Sequence, residues 1–225
     1  KVGLPVPAGF TITTQVCDYY YKHNLSYPSD LDKQIDENIA KIEKETGMKF
    51  GDVNNPLLVS VRSGAVVSMP GMMETILNLG LNNKTVQGVI KTTGNERFAL
   101  DCYRRFIQMF SDVVLGVDMK LFEGAIEKKK QTKGVRLDTE LDAKDLKELV
   151  QEYEQIVKKA KGKEFPQDVK EQLKLAINAV FGSWNCDRAI KYRNINEIRG
   201  AVGTAVNVQA MVFGNLGNDS GTGVA

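Results

Sequence analysis

Leu57-Leu58-Val59-Ser60-Val61 is a continuous apolar run of strand length that follows Pro56 and ends at Arg62. An unbroken run of this kind reads as a buried central strand, not as a strand with one wet face. It constrains the rest of the chain, because a central strand needs partners on both edges. Two further segments are candidates. Gly9-Phe10-Thr11-Ile12-Thr13-Thr14-Gln15-Val16 is β-branched and aromatic after a proline-containing turn. Thr204–Phe213 alternates in polarity and stops at Gly214. Both are expected to be strands.

Between them the character changes. Leu31, Ile35, Ile39 and Ile42 recur at helical spacing behind Ser29, with Asp32 three residues later as in a capping box. From about Asn82 to Phe165 the chain is helical and charge-rich. One helix is expected to carry Phe98, Cys102, Phe106, Met109, Phe110 and Val113, and another Leu146, Leu149, Val150, Tyr153 and Val157 behind Asp142 as N-cap. Glu127 to Gly134 reads as a solvated basic loop. Pro166 is placed in the first turn of a helix bearing Leu173, Ile177, Val180, Phe181 and Trp184.

Composition excludes several classes. Hydrophobic residues make up 42% and charged residues 26%, and the net charge of +2 offers no broad basic face for nucleic acid or an anionic membrane. Apolar runs fall far short of the roughly 20 residues that cross a bilayer. Cys17, Cys102 and Cys186 form no CxxC pair and have one histidine, His23, to accompany them, so neither a zinc site nor a disulfide scaffold is indicated. His23 reads as a surface or helix-end residue. The chain begins at Lys1 and closes on Gly221-Thr222-Gly223-Val224-Ala225 in mid-pattern, so both ends are expected to be cuts within a longer protein.

Two segments have a local sequence suited to chemistry. The first delivers Arg62 from the apolar run, followed by the small residues Ser63 and Gly64. Its guanidinium fork suits phosphate oxygens, or it pairs with a structural carboxylate such as Glu74; spacing leaves both open. The second runs from Gly214 to Gly223 and contains Gly214, Gly217, Gly221 and Gly223. It is either a phosphate cradle of backbone N–H groups or a simple hairpin turn.

The chain resembles the pyruvate, phosphate dikinases. The resemblance rests on Gly3 to Thr11, Leu58-Val-Ser-Val-Arg-Ser-Gly-Ala65, Ser68-Met-Pro-Gly-Met-Met-Glu-Thr-Ile-Leu-Asn-Leu-Gly80, Tyr103-Arg-Arg-Phe-Ile-Gln-Met-Phe110, Arg188-Ala-Ile-Lys-Tyr-Arg193 and Gly203 to Asn215. It implies an α+β, ATP-grasp-like nucleotide-binding domain. Residues 1–81 would form the first part of its first subdomain, 82–165 a helical insertion, 166–212 the second part and hinge, and 213–225 the start of the second subdomain.

The same resemblance implies interconversion of ATP, phosphate and pyruvate with AMP, diphosphate and phosphoenolpyruvate. A phosphohistidine on another domain would relay the phosphoryl group to a pyruvate-binding domain of the same parent chain. Arg62 would bind the ATP phosphates as the catalytic residue, and Thr75 would belong to the nucleotide pocket. Gln209, Met211 and Val212 would form the adenine hinge, and Ser220, Gly221, Thr222 and Gly223 the phosphate-closing loop. Mg²⁺ is implied with ligands outside this segment, as is the family's phosphate-binding lysine, so the segment alone is expected to be inactive. The parent is expected to be a homo-oligomer in the cytoplasm or in an organelle such as a plastid or glycosome. The alternatives are a phosphoenolpyruvate synthase, which uses water in place of phosphate, and a non-catalytic interaction module built on residues 82–165.

Overall fold

The computed structural model describes residue 3 and residues 5–65, 67, 69–217 and 219–222. Four strands form the main sheet: β1 (Gly9–Ile12), β4 (Val59–Gly64), β5 (Thr75–Leu79) and β6 (Ala205–Ala210). Their order is β1-β6-β4-β5, and every neighbouring pair is antiparallel. The apolar run is therefore central, as its composition predicts. It is also interrupted: Pro56–Leu57 forms β3, which pairs in parallel with β2 (Lys49–Phe50), and β4 starts only at Val59.

Among the described residues eight α-helices pack around these sheets: α1 (Thr14–Lys22), α2 (Leu31–Thr46), α3 (Thr85–Thr93), α4 (Glu96–Val113), α5 (Met119–Lys133), α6 (Ala143–Lys161), α7 (Val169–Ser183) and α8 (Asp187–Ile195). The two amphipathic helices expected behind residues 82–165 are α4 and α6. Asn95 caps α4 by accepting from the Phe98 N–H at 2.9 Å, and Asp142 caps α6 through a reciprocal capping box with Asp145. Sheet and helices share one main apolar core, which includes Val59, Val61, Ile76, Phe106, Tyr153 and Phe181. Among the described residues, no helix is long and apolar enough to cross a membrane.

Several local expectations need correction. The first strand ends at Ile12, and Thr14–Lys22 turns into helix α1, because Cys17 and Tyr20 bury at i and i+3 spacing. Ser29 caps nothing at α2; Asp30 occupies the N-cap position, with no side-chain capping bond. The basic stretch ending at Gly134 is not a loop but the last turns of α5, with Gly134 at φ +70° as its C-cap. Three of its four lysines are paired: Lys129 with Glu148, Lys130 with Asp138, and Lys133 with Asp145. Pro166 lies outside α7, whose N-cap is Asp168, accepting from the Glu171 N–H at 2.8 Å. Strand β6 is shorter than expected, stopping at Ala210.

Buried amides tie the end of β5 to α7. Gln172 is fully buried, donates to the carbonyls of Leu81 (2.9 Å) and Pro166 (2.8 Å), and accepts from the Gly80 N–H (3.2 Å). Asn82 accepts from the N–H groups of Lys84 and Thr85 at 2.8 and 2.7 Å, which starts α3. The strand carrying the candidate residues is thus held against the helical layer by satisfied polar groups.

Candidate nucleotide site

Arg62 and Thr75 are brought together by sheet register. Arg62 in β4 pairs with Thr75 in β5 on one side and with Asn207 in β6 on the other. Three residues back along β4, Val59 pairs with Leu79 and with Ala210, which forms a second row across the sheet. At about 3.3 Å per residue the rows lie roughly 10 Å apart. Between them opens a cavity of about 580 Å³. Arg62, Thr75, Gln209, Met211, Val212 and Thr222 all line it.

One of the two readings of Arg62, the pairing with Glu74, is not made in the structure. Glu74, the carboxylate considered for it, pairs instead with Arg188 of α8. Among the described residues Arg62 has no carboxylate within 4.0 Å, and it is exposed. An unpaired guanidinium at the mouth of a cleft is a ready anion ligand.

The hinge carries its own logic. The Gln209 side chain donates to the Pro7 carbonyl at 3.0 Å, and the Ala210 and Met211 N–H groups donate to Ala8 (2.8 Å) and Leu58 (2.9 Å). Val212 is the next residue, and its N–H has no protein acceptor among the described residues. The residue is 73% exposed beside the cavity. Phe213 then folds back edge-on against Phe98 of α4, with ring centroids 5.2 Å apart, and fixes the course of the chain.

The glycine-rich segment makes a turn closed by Ser220 N–H donating to the Gly217 carbonyl at 3.2 Å. Thr222 reaches the cavity wall, whereas Ser220 and Gly221 do not line it; Gly223 lies outside the described residues. Gly214 is where the hinge exit meets this turn. A Cβ there would sit 2.7 Å from the Gly221 carbonyl oxygen, closer than real contacts allow. Gly214→Ala is therefore expected to push the turn away from the cavity. Displacements near 1 Å cost about 10²-fold in rate at well-oriented sites, so turnover of the full-length protein should fall by about 10–100-fold, with its unfolding midpoint unchanged. Retained turnover would show that the turn does not serve the cavity.

Several lining residues escaped the sequence reading. Helix α4 presents Cys102, Arg105 and Met109 to the cavity, a stripe at i, i+3 and i+7. Cys102 and Met109 belong to the apolar stripe expected from the sequence, and Arg105 stands beside it. Arg105 is a second cation, 55% exposed, with Asp101 4.0 Å away. Burial raises the Cys102 thiol to about 12, the neighbouring Asp101 charge adding to the effect, so it acts as an apolar wall. His23, at the C-cap of α1, stacks on Tyr19 at 3.7 Å, away from the cavity.

Comparison with known proteins shows the family. Residues 24–225 match the family described as pyruvate phosphate dikinase, AMP/ATP-binding domain. The whole chain is 56% identical to the chloroplastic pyruvate, phosphate dikinase of Mesembryanthemum crystallinum, covering 24% of it. It is also 56% identical to the pyruvate, phosphate dikinases of Clostridium symbiosum and Giardia intestinalis, covering 26% and 25% of them. It thus spans about a quarter of the length of these relatives. With the family match covering residues 24–225, nearly the whole chain, the chain belongs to the pyruvate phosphate dikinase AMP/ATP-binding domain family.

Proposed function

We propose that this cavity binds ATP for a pyruvate, phosphate dikinase and that the chain is the greater part of that enzyme's nucleotide-binding domain. The observation that carries the reading is the convergence of Arg62, unpaired, with the hinge residues Gln209 to Val212 on one cavity. The Val212 N–H would donate to the base edge while the Met211 and Val212 side chains cover the ring. The Arg62 fork would hold phosphate oxygens at the far row, with Thr75 beside it. Thr222 and its neighbours would close over the phosphates. In this arrangement residues 82–165 form the helical insertion, whose α4 supplies one cavity wall.

Phosphoryl transfer is dominated by positioning and by stabilising spread negative charge. The chain's share is to hold the nucleotide extended between hinge and arginine and to place positive charge against the phosphates. Mg²⁺, which neutralises such phosphates when bound, prefers one or two carboxylates with its waters. The described cavity lining contains no Asp or Glu, and no cluster of three or more His, Cys, Asp or Glu occurs among the described residues, so these groups alone do not fit that ion. Transfer to a relay histidine and on to pyruvate, on other domains of a parent protein in cytoplasm or plastid, completes the proposal.

The test is the nucleotide stoichiometry of the full-length protein. AMP is expected to form from ATP only when inorganic phosphate is supplied as second acceptor. Equal AMP formation without phosphate would move the assignment to an enzyme that uses water.

A further inference from the structure

Sheet register extends the Arg62 row across all four strands of the main sheet. Thr11 of β1 pairs with Asn207 of β6, Asn207 with Arg62 of β4, and Arg62 with Thr75 of β5. Cross-strand partners share a face, so these four polar side chains stand on the face that carries the cavity. Arg62 and Thr75 line the cavity, whereas Asn207 stands beside Arg62 just outside it. The nucleotide reading gives Asn207 no task.

Its amide is held across the gap between two strands. Thr11 Oγ1 donates to Asn207 Oδ1 at 2.6 Å, which ties the carbonyl end toward β1. The Nδ2 end lies over β4, because a Cβ built on Gly64 would be 2.9 Å from it. Asn207 is half-buried, and Nδ2 has no acceptor among the described residues. The buried side-chain atoms that lack a partner there are Asn78 Oδ1 and Ser111 Oγ, so Nδ2 is an open donor, not a buried one.

The floor beneath Nδ2 is bare. Gly64 pairs with Ala205, so the row two residues beyond Arg62, about 7 Å further from the hinge, carries almost no side chain. Gly64 has no positive φ, and its backbone does not call for glycine. What the position calls for is room, since a methyl group there would displace the Asn207 amide. Glycine inside a strand often marks a place where a ligand comes close to the backbone. A nucleotide running from the hinge past Arg62 ends in its terminal phosphate, and phosphate oxygens only accept. Resting on the nucleotide reading above, we propose that Asn207 is a further phosphate-binding residue, whose Nδ2 donates to a phosphate group held over Gly64, with Thr11 as the positioning residue that aims the amide. Arg62 attracts the phosphates by charge, and the amide adds a fixed direction. The terminal phosphate of ATP and inorganic phosphate offer the same oxygens, and binding separates them.

The experiment measures ATP affinity, AMP affinity and the phosphate concentration that half-saturates turnover, for the full-length protein and for Asn207→Val, Asn207→Asp and Gly64→Ala. Valine suits a strand and has no donor. In Asn207→Val the ratio of ATP to AMP affinity should fall about 10–100-fold, the range for a hydrogen bond to a charged group. Asn207→Asp should lower it further, because it keeps the Thr11 bond but sets a carboxylate against the phosphate. Gly64→Ala retains every polar group and should shift the ratio in the same direction, with little further effect when combined with Asn207→Val. A preserved ratio with the half-saturating phosphate raised by a similar factor would support the site with inorganic phosphate as its occupant. If neither quantity moves in the variants that fold, or if the only change is a lower unfolding midpoint, Asn207 serves the Thr11 pair alone and the inference is overturned, with the nucleotide site intact. If the unaltered protein binds neither nucleotide, the nucleotide reading itself fails.

Discussion

Arg62→Ala is expected to lower phosphoryl transfer by the full-length protein by about 10²–10³-fold, the range typical for loss of one preorganised donor at a charge-stabilising site. The stability of the variant should be almost unaffected. Arg62 is exposed and has no carboxylate partner among the described residues, and surface substitutions of that sort usually stay within about 0.5 kcal/mol. This separation of effects distinguishes a ligand-binding arginine from a structural one. Arg188, which does pair with Glu74, offers the contrast: truncating it removes an ion pair between partly exposed groups and should leave ATP affinity close to normal. Arg62→Lys should restore only part of the activity, because an ammonium ion cannot reproduce the planar fork. ATP titration and AMP formation, followed together for the three variants, decide the matter. Normal AMP formation by Arg62→Ala would remove Arg62 from the site.

Much of this site was legible because its parts are marked by sequence features with a direct physical meaning. The apolar run before Arg62 needed a place in mid-sheet, and the alternation of Val206, Val208 and Ala210 fixed which face of β6 is buried. What the sequence could not express was register. That Arg62 faces Thr75, and that Glu74 belongs to Arg188, depends on how β4, β5 and α8 meet, and Arg188 lies 114 residues beyond Glu74 along the chain. Helix α8 was missed for a related reason. Only Ala189 of its residues is buried, so it has no apolar stripe to read. The bulge of β5, where Asn78 sits at φ +61° between the Val61–Ile76 and Val59–Leu79 pairs, leaves no trace in hydrophobicity at all. One buried asparagine in Thr75–Leu79 looks like any polar residue in an edge strand until its φ and its partners are known. The basic end of α5 misled in the opposite direction: charge run and Gly134 matched a loop, but lysines in a last turn followed by a left-handed glycine are equally the ending of a helix.

Phe165→Ala is expected to be among the most destabilising single changes in the chain. Phe165 lies between α6 and α7 and is 1% exposed. Its ring meets Tyr103, Phe106 and Phe110 of α4 at centroid distances of 6.5, 5.7 and 5.5 Å, all near edge-to-face. Removing it deletes buried apolar area, leaves a cavity that rigid neighbouring rings can only partly fill, and abolishes three aromatic contacts, together about 3–5 kcal/mol. The consequence extends to the nucleotide site. One stripe of α4 holds these aromatic rings while another presents Cys102, Arg105 and Met109 to the cavity, so the cavity wall depends on the packing behind it. Urea denaturation of the 225-residue chain, followed by the fluorescence of its single tryptophan, Trp184, should show a lower midpoint with an unchanged slope. Ile195→Ala, at a side chain 80% exposed, should stay within about 0.5 kcal/mol and serves as the control. A loss below about 1 kcal/mol for Phe165→Ala would mean that α4 closes onto the vacated space, and the cavity wall would then be expected to shift with it.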